Sequence, residues 1–304
     1  MIQVEHLTRR YGDITAVDDV SFTIEHGEVV GLLGHNGAGK TTIMKMMTGF
    51  LEPTEGTIRI ANQRVGHPKA HTQTRIGYLP ENCPLWTEMS VIDYLDYQAV
   101  LHGIGDDDRS SAVAEAIRRT ALTERATAPI HTLSRGYRQR VGVAQAILHR
   151  PDIIILDEPT NGLDPSQILQ MRKLIRELAR SATVIVSTHI LQEVQAVCKR
   201  VLILRAGRLV VDASLDELQQ SRALLVTVAG DAGKTLQAVK GVAAVTELTV
   251  TSGARHYRLE ANPECAPTVA AAIADAGFAL HELRREEQNL ETLFAQVNKE
   301  TMHG

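Results

Sequence analysis

A run of eight residues, Gly34-His35-Asn36-Gly37-Ala38-Gly39-Lys40-Thr41, constrains this chain more than any other feature. It has the spacing G-x-x-x-x-G-K-[ST]. Before it stands Val29-Val30-Gly31-Leu32-Leu33, a continuous apolar run that suits a central strand buried on both faces. A helical pattern follows it directly. Glycines at these places let backbone N–H groups turn inward around a phosphate, and the start of the next helix adds positive potential. Lys40 is placed to reach terminal phosphates, and Thr41 offers a hydroxyl to Mg²⁺.

The rest of the first two thirds of the chain reads as alternating strands and helices. Strands are expected before residue 33, with a turn at Gly27, and again over 74–80. Ser90, with Asp93 three residues on, caps a helix carrying Ile92, Leu95 and Ala99. Residues 102–131 read as mixed helices and 136–149 as one helix. Ile153-Ile154-Ile155-Leu156 and Thr183-Val184-Ile185-Val186 are further buried strands. Between them 166–180 forms an amphipathic helix with Ile168, Met171, Leu174 and Leu178 inside. Residues 190–198 are helical, and 201–212 form a hairpin around Ala206-Gly207. This alternation predicts a parallel α/β sheet.

Near residue 221 the pattern changes. Strands over 223–229, 243–250, 255–261 and 279–285, with helices over 231–240 and 263–277, repeat β-α-β twice. That is the order of a split, ferredoxin-like domain. A closing helix capped by Asn289 carries Leu290, Leu293, Phe294 and Val297 on one face. At ~150 residues per domain, two domains are expected, 1–221 and 222–304.

Composition narrows the function. Lys plus Arg is 32 against 36 Asp plus Glu, a net charge of −4. That balance argues against a chain whose main affinity is for the nucleic-acid backbone, which needs a basic surface. Aromatic residues are 4% of the chain, too few for base-stacking platforms. Cys83, Cys198 and Cys265 are far apart in sequence, which predicts reduced structural cysteines and no thiolate metal site. Neither a signal peptide nor a membrane span is expected.

Two further stretches carry chemistry. Ile153–Leu156 ends in Asp157-Glu158, two carboxylates at the mouth of the sheet. By itself that is an ordinary solvated strand end. After a phosphate-binding loop, Asp157 becomes a ligand for Mg²⁺, directly or through water, and Glu158 is placed to polarise an attacking water. Upstream lies Leu133-Ser134-Arg135-Gly136-Tyr137-Arg138-Gln139-Arg140. With these three elements in this order, the chain resembles the ATP-binding subunits of ABC transporters over about residues 1–220. The octet is similar to their signature L-S-G-G-Q-x-Q-R, with Arg135 and Tyr137 as departures. Its variants, and Leu79-Pro80-Glu81, look like those of the gliding-motility and drug-export type.

The resemblance implies an α/β P-loop ATPase core with an antiparallel β subdomain and a helical subdomain, joined to a smaller α+β domain outside the shared core. It implies that Tyr11 stacks on adenine and that Gly34, Asn36, Gly37, Gly39, Lys40, Thr41 and Thr42 hold the ATP phosphates. Ser134 and Gly136 would face the γ-phosphate of ATP bound to a partner copy. Glu81 falls where the family has a glutamine near metal and water. Gly162-Leu163-Asp164-Pro165 resembles its D-loop, and His189 its γ-phosphate-contacting histidine. The implied catalytic set is Glu158, His189 and Glu81, with Thr41, Asp157 and Glu81 at Mg²⁺. The implied partners are a second copy, closing over two sandwiched ATP molecules, and separate integral membrane permease subunits. Residues 81–88 are the candidate permease contact, on the cytoplasmic face of the cell membrane. No nucleic-acid partner is implied. An ABC-type ATPase not coupled to transport remains the alternative. A P-loop kinase or GTPase is disfavoured by the signature, by His189 and by the lack of Asn-Lys-x-Asp.

Overall fold

The computed structural model describes residues 1–67, 72–219, 223–251, 253–286, 290 and 294. The chain opens on a hairpin, β1 (Ile2–Tyr11) and β2 (Ile14–Ile24), that buries Ile2, Val4, Val20, Phe22 and Ile24. The strand β3 (Val29–Leu33) leads through the glycine-rich loop into α1 (Lys40–Met47). Next, β4 (Glu55–Ile60) pairs with β1, and β5 (Gln63–Arg64) pairs with β4. The antiparallel sheet thus has the order β2-β1-β4-β5. Sequence reading assigned no strand to this stretch. Only Ile58 and Ile60 of β4 are buried apolar residues, so pairing with β1, more than its own pattern, makes it a strand.

The larger sheet is built from β6 (Ile76–Leu79), β7 (Ile153–Asp157), β8 (Thr183–Thr188) and the hairpin β9 (Arg200–Arg205) and β10 (Arg208–Ser214), added to β3. Its order is β10-β9-β3-β8-β7-β6, parallel except for the hairpin. All residues of β3, β7 and β8 are buried. Burying one large aliphatic side chain contributes about 1.5–3 kcal/mol, so these runs dominate the core. Gly31 is required in β3, because a Cβ there would stand 2.8 Å from Val194 of α6 (Leu191–Val197). Register aligns Leu33 with Thr188, Asp157 with Ser187, and Leu79 with Leu156. Four strand ends therefore open on one edge, where ligands bind in open parallel sheets.

The remaining helices of this unit are α2 (Val91–Leu101), α3 (Asp106–Arg119), α4 (Arg135–Ile147) and α5 (Pro165–Leu178). Ser90 caps α2 as expected, accepting from the Asp93 N–H at 3.2 Å. Leu95 and Ala99 are buried, but Ile92 is 40% exposed. The inward stripe is Val91, Tyr94, Leu95 and Ala99, at i, i+3, i+4 and i+8, which leaves Ile92 on its flank.

At the C-terminal ends of α2 and α4, His102 and His149 stack with ring centroids 4.2 Å apart. Nε2 of His149 lies 3.1 Å from the Ile76 carbonyl. Burial, then the neighbouring His102, push His149 down to about 4, while the Ile76 carbonyl pulls the other way. The folded ring is neutral where an unfolded one, near 6.5, takes a proton. Its contribution is therefore complete above about pH 6.5 and is lost as pH falls toward 4. Discounted for solvent screening of a half-buried ring, the loss is about 2 kcal/mol. Thermal melts should show wild type losing more stability than His149→Gln between pH 7 and about 4.5. Parallel losses in the two proteins would remove His149 as the cause.

Chain contacts part into two units between Leu215 and Asp216, in a short helix, α7 (Leu215–Gln219). The expected boundary residues Ser221 and Arg222 lie outside the described residues. The second unit contains β11 (Ala223–Ala229), α8 (Gly233–Gln237), β12 (Val242–Thr251), β13 (Ala254–Ala261), α9 (Ala266–Asp275) and β14 (Leu280–Arg285). Its antiparallel sheet has the order β12-β13-β11-β14. Inward residues Leu224, Val226, Val228, Tyr257 and Leu259 meet Leu236 of α8 and Val269 and Ile273 of α9. Of the expected closing helix, Leu290 is buried and Phe294 half-buried. Asn289, Leu293 and Val297 lie outside the described residues.

Candidate active site

Each phosphate-side residue is delivered by the end of a buried strand. After β3 the chain turns through Gly37 and Gly39, with φ of 83° and 102°. A Cβ at Gly39 would stand 2.7 Å from the Ala16 carbonyl oxygen, so a side chain is excluded twice over. Lys40 is then the first residue of α1 and only 6% exposed. Its Nζ donates to the carbonyls of Gly34 at 2.6 Å and His35 at 3.3 Å. It also lies 3.9 Å from Glu158 Oε1. Burial holds its pKa below the ordinary lysine value, against the opposing pull of Glu158, Asp157 and Glu81. A phosphate would replace two neutral carbonyls with charged acceptors.

Thr41 donates through Oγ1 to Asp157 Oδ2 at 3.1 Å. Among the described residues, the other carboxylate oxygen, Oδ1, is buried without a hydrogen-bond partner, as is Oγ of Ser187. Burial pushes Asp157 above the usual carboxylate range, although nearby Ser187 and Thr41 pull it down. A divalent cation reverses that balance by favouring the ionised form. The unsatisfied oxygen and the Thr41 hydroxyl are a hard-donor pair that fits Mg²⁺, which keeps several waters and takes substrate phosphates as ligands.

Glu158 follows with φ of 49°, an uncommon conformation for a non-glycine residue. Its N–H donates to the Ser187 carbonyl at 2.9 Å. The carboxylate is thereby turned toward Lys40 and His189. Nδ1 of His189 lies 2.9 and 3.0 Å from the two carboxylate oxygens. In the tautomer with a proton on Nδ1 it donates to them.

A cleft of about 350 Å³ gathers Asn36, Gly37, Gly39, Lys40, Thr41, Thr42, Glu81, Glu158 and His189. Asn161 and Ala16 also line it, and sequence reading named neither. Asn161 is returned to the cleft by a turn in which its N–H donates to the Glu158 carbonyl at 3.1 Å. Its side-chain amide donates to Glu81 Oε1 at 3.4 Å. A polar residue just before Gly162-Leu163-Asp164-Pro165 was its only mark in the sequence. Five expected site residues stand outside the cleft lining. Gly34 accepts from Lys40 Nζ and Asp157 from Thr41, so both adjoin it through lining residues. Tyr11, 46% exposed, ends β1 with the Arg9 guanidinium over its ring. Ser134 caps α4, accepting from the Tyr137 N–H at 3.4 Å. Gly136 is buried where a Cβ would stand 2.4 Å from the Gln167 side chain.

The family model described as ABC transporter matches residues 17–161. The chain is 29% identical over 318 residues to the linearmycin resistance ATP-binding protein of Bacillus subtilis (strain 168), covering 99% of each chain. It is 35% identical over 222 residues to the bacitracin transport ATP-binding protein of Bacillus licheniformis, covering 72% of each. Among solved structures, it is similar to a dimeric ATP-binding cassette in a post-hydrolysis state with ADP and Pi. The TM-score is 0.64 at 25% identity, covering 71% of this chain and 99% of that one.

Proposed function

The chain belongs to the ATP-binding proteins of ABC transporters and is an ATPase, and we propose that it drives export through separate membrane permease chains. In this reading it works as a homodimer on the cytoplasmic face. The observation that carries the homodimer is the division of the machinery. Lys40, Thr41, Glu158 and His189 line the cleft, while Ser134 and Gly136 do not. A second copy supplies the missing face. The similar cassette structure is dimeric. No helix among the described residues is long and apolar enough to cross a membrane, so the reading assigns the transport path to other chains. The two relatives, named for resistance to one compound and transport of another, are the ground for export. The two-part organisation is taken as 1–221 for the ATPase and 222–304 for an accessory domain.

The chemistry is positioning and charge neutralisation around a transferred phosphoryl group. Lys40 exchanges its carbonyl partners for phosphate oxygens. Thr41 and Asp157 would hold Mg²⁺, which neutralises phosphate charge when bound. Glu158 orients the attacking water and accepts its proton, with His189 keeping the carboxylate in place beside the γ-phosphate. Glu81, which lines the cleft and is tied to Asn161, would offer a carboxylate oxygen to Mg²⁺ or to the attacking water. The Ser134 hydroxyl and the α4 N-terminus of the partner meet the γ-phosphate from the other side. Once hydrolysis removes that phosphate, the contacts across the interface are lost and the dimer opens.

Permease contact is assigned to residues 81–88, where Trp86 is 54% exposed and its ring is tilted at 32° to that of Tyr97, with centroids 4.7 Å apart. The first test is whether a polytopic membrane protein is encoded beside this chain, and the second is coexpression with that protein. The chain should sediment with membranes only when that protein is present, and Trp86→Ala should release it while leaving ATP turnover of the isolated chain unchanged. Membrane association that ignores the polytopic protein would refute the transport reading.

A further inference from the structure

The Arg9 guanidinium lies over the Tyr11 ring, with Cζ 4.6 Å from the ring centroid. Nη1 of Arg9 donates to the Glu52 carbonyl at 3.0 Å, and among the described residues Nε is buried without a hydrogen-bond partner. Among the described residues, the ring and one carbonyl therefore seat the cation. One face of Tyr11 is covered by it, and the side chain remains exposed overall. Tyr11 pairs with Ile14 across the hairpin. Ala16, two residues further along β2, lines the phosphate cleft. The hairpin thus carries the ring to the border of the nucleotide site.

We propose that Arg9 is a positioning residue for the nucleotide base, backing the Tyr11 ring so that its open face receives the purine. This rests on the reading of Tyr11 as the base platform. A cation over one face of an aromatic ring is attracted to the ring's quadrupole. That attraction holds an exposed tyrosine in one orientation before the base arrives, and ordering a mobile side chain on binding costs affinity. Removing the cation should therefore weaken base recognition about three- to tenfold and leave phosphate recognition alone.

Calorimetric titration of the full chain with ADP and with inorganic pyrophosphate separates the two. Arg9→Met keeps the apolar stem and loses the charge, whereas Arg9→Lys keeps a cation. Arg9→Met should weaken ADP about three- to tenfold with pyrophosphate unchanged, and Arg9→Lys should restore most of the loss. Tyr11→Ala should weaken ADP further, again sparing pyrophosphate. If Tyr11→Ala binds ADP like wild type, the base-platform reading fails and this inference with it. If Tyr11→Ala is weakened but Arg9→Met is not, this inference alone is overturned. Equal losses for ADP and pyrophosphate in Arg9→Met would also overturn it, because a general defect does not discriminate between them.

Discussion

Lys40→Ala should lose nucleotide binding by at least about a hundredfold while the fold survives. Two charge-assisted hydrogen bonds to phosphate, at about 1.5–3 kcal/mol each, set that magnitude. The substitution also leaves Asp157, Glu158 and Glu81 without the cation whose pKa all three influence. An incoming triphosphate would then face three carboxylates and no lysine. The fold is spared because Nζ makes its hydrogen bonds to loop carbonyls, and because burying this ammonium is itself costly. Titration with a fluorescent ATP analogue, alongside a thermal melt, measures both statements. Undiminished binding in a folded variant would exclude Lys40 from the phosphate site.

How much of this was legible in the sequence follows from which contacts are local. The glycine-rich loop, Lys40 and Thr41 occupy one strand–loop–helix unit, so their spacing announced them. Asp157 and Glu158 ended an unbroken apolar run, and burial of every residue in β7 explains why that run stood out. The ordered motifs then placed Glu81, Ser134 and His189 by resemblance. Asn161 was missed because its place depends on a turn back to the Glu158 carbonyl and a side-chain bond to Glu81, far away in sequence. β4 was missed because its partner β1 lies about fifty residues earlier, as in the pair Gln3 and Arg59. The Arg9–Tyr11 contact was invisible for a different reason. Sequence supplies both residues but not the Glu52 carbonyl that holds the guanidinium over the ring.

Glu158→Gln should trap the chain as an ATP-bound homodimer. Glu158 is 6% exposed, and its N–H is fixed to the Ser187 carbonyl at 2.9 Å. The nearly isosteric amide can therefore occupy the same place. Its carbonyl oxygen still accepts from Nδ1 of His189, now 2.9–3.0 Å from the carboxylate. Binding gains, because a negative charge 3.9 Å from Lys40 and beside the phosphates is removed. What is lost is a group able to orient water and accept its proton, worth typically 10²–10⁴-fold in rate. With binding intact and hydrolysis nearly stopped, the γ-phosphate of the proposed sandwich should stay between Lys40 of one copy and Ser134 of the other. Size exclusion in Mg-ATP should then show a dimer, and the same variant without nucleotide should elute as a monomer. Adding Ser134→Arg should dissolve the ATP-dependent dimer, since the larger side chain fills the place where α4 meets the phosphate. A Glu158→Gln chain that binds ATP yet stays monomeric at saturation, with or without the proposed membrane subunit, would overturn the sandwich. Turnover at the wild-type rate would instead remove Glu158 from catalysis and pass the water-activating role to another group at the same strand end.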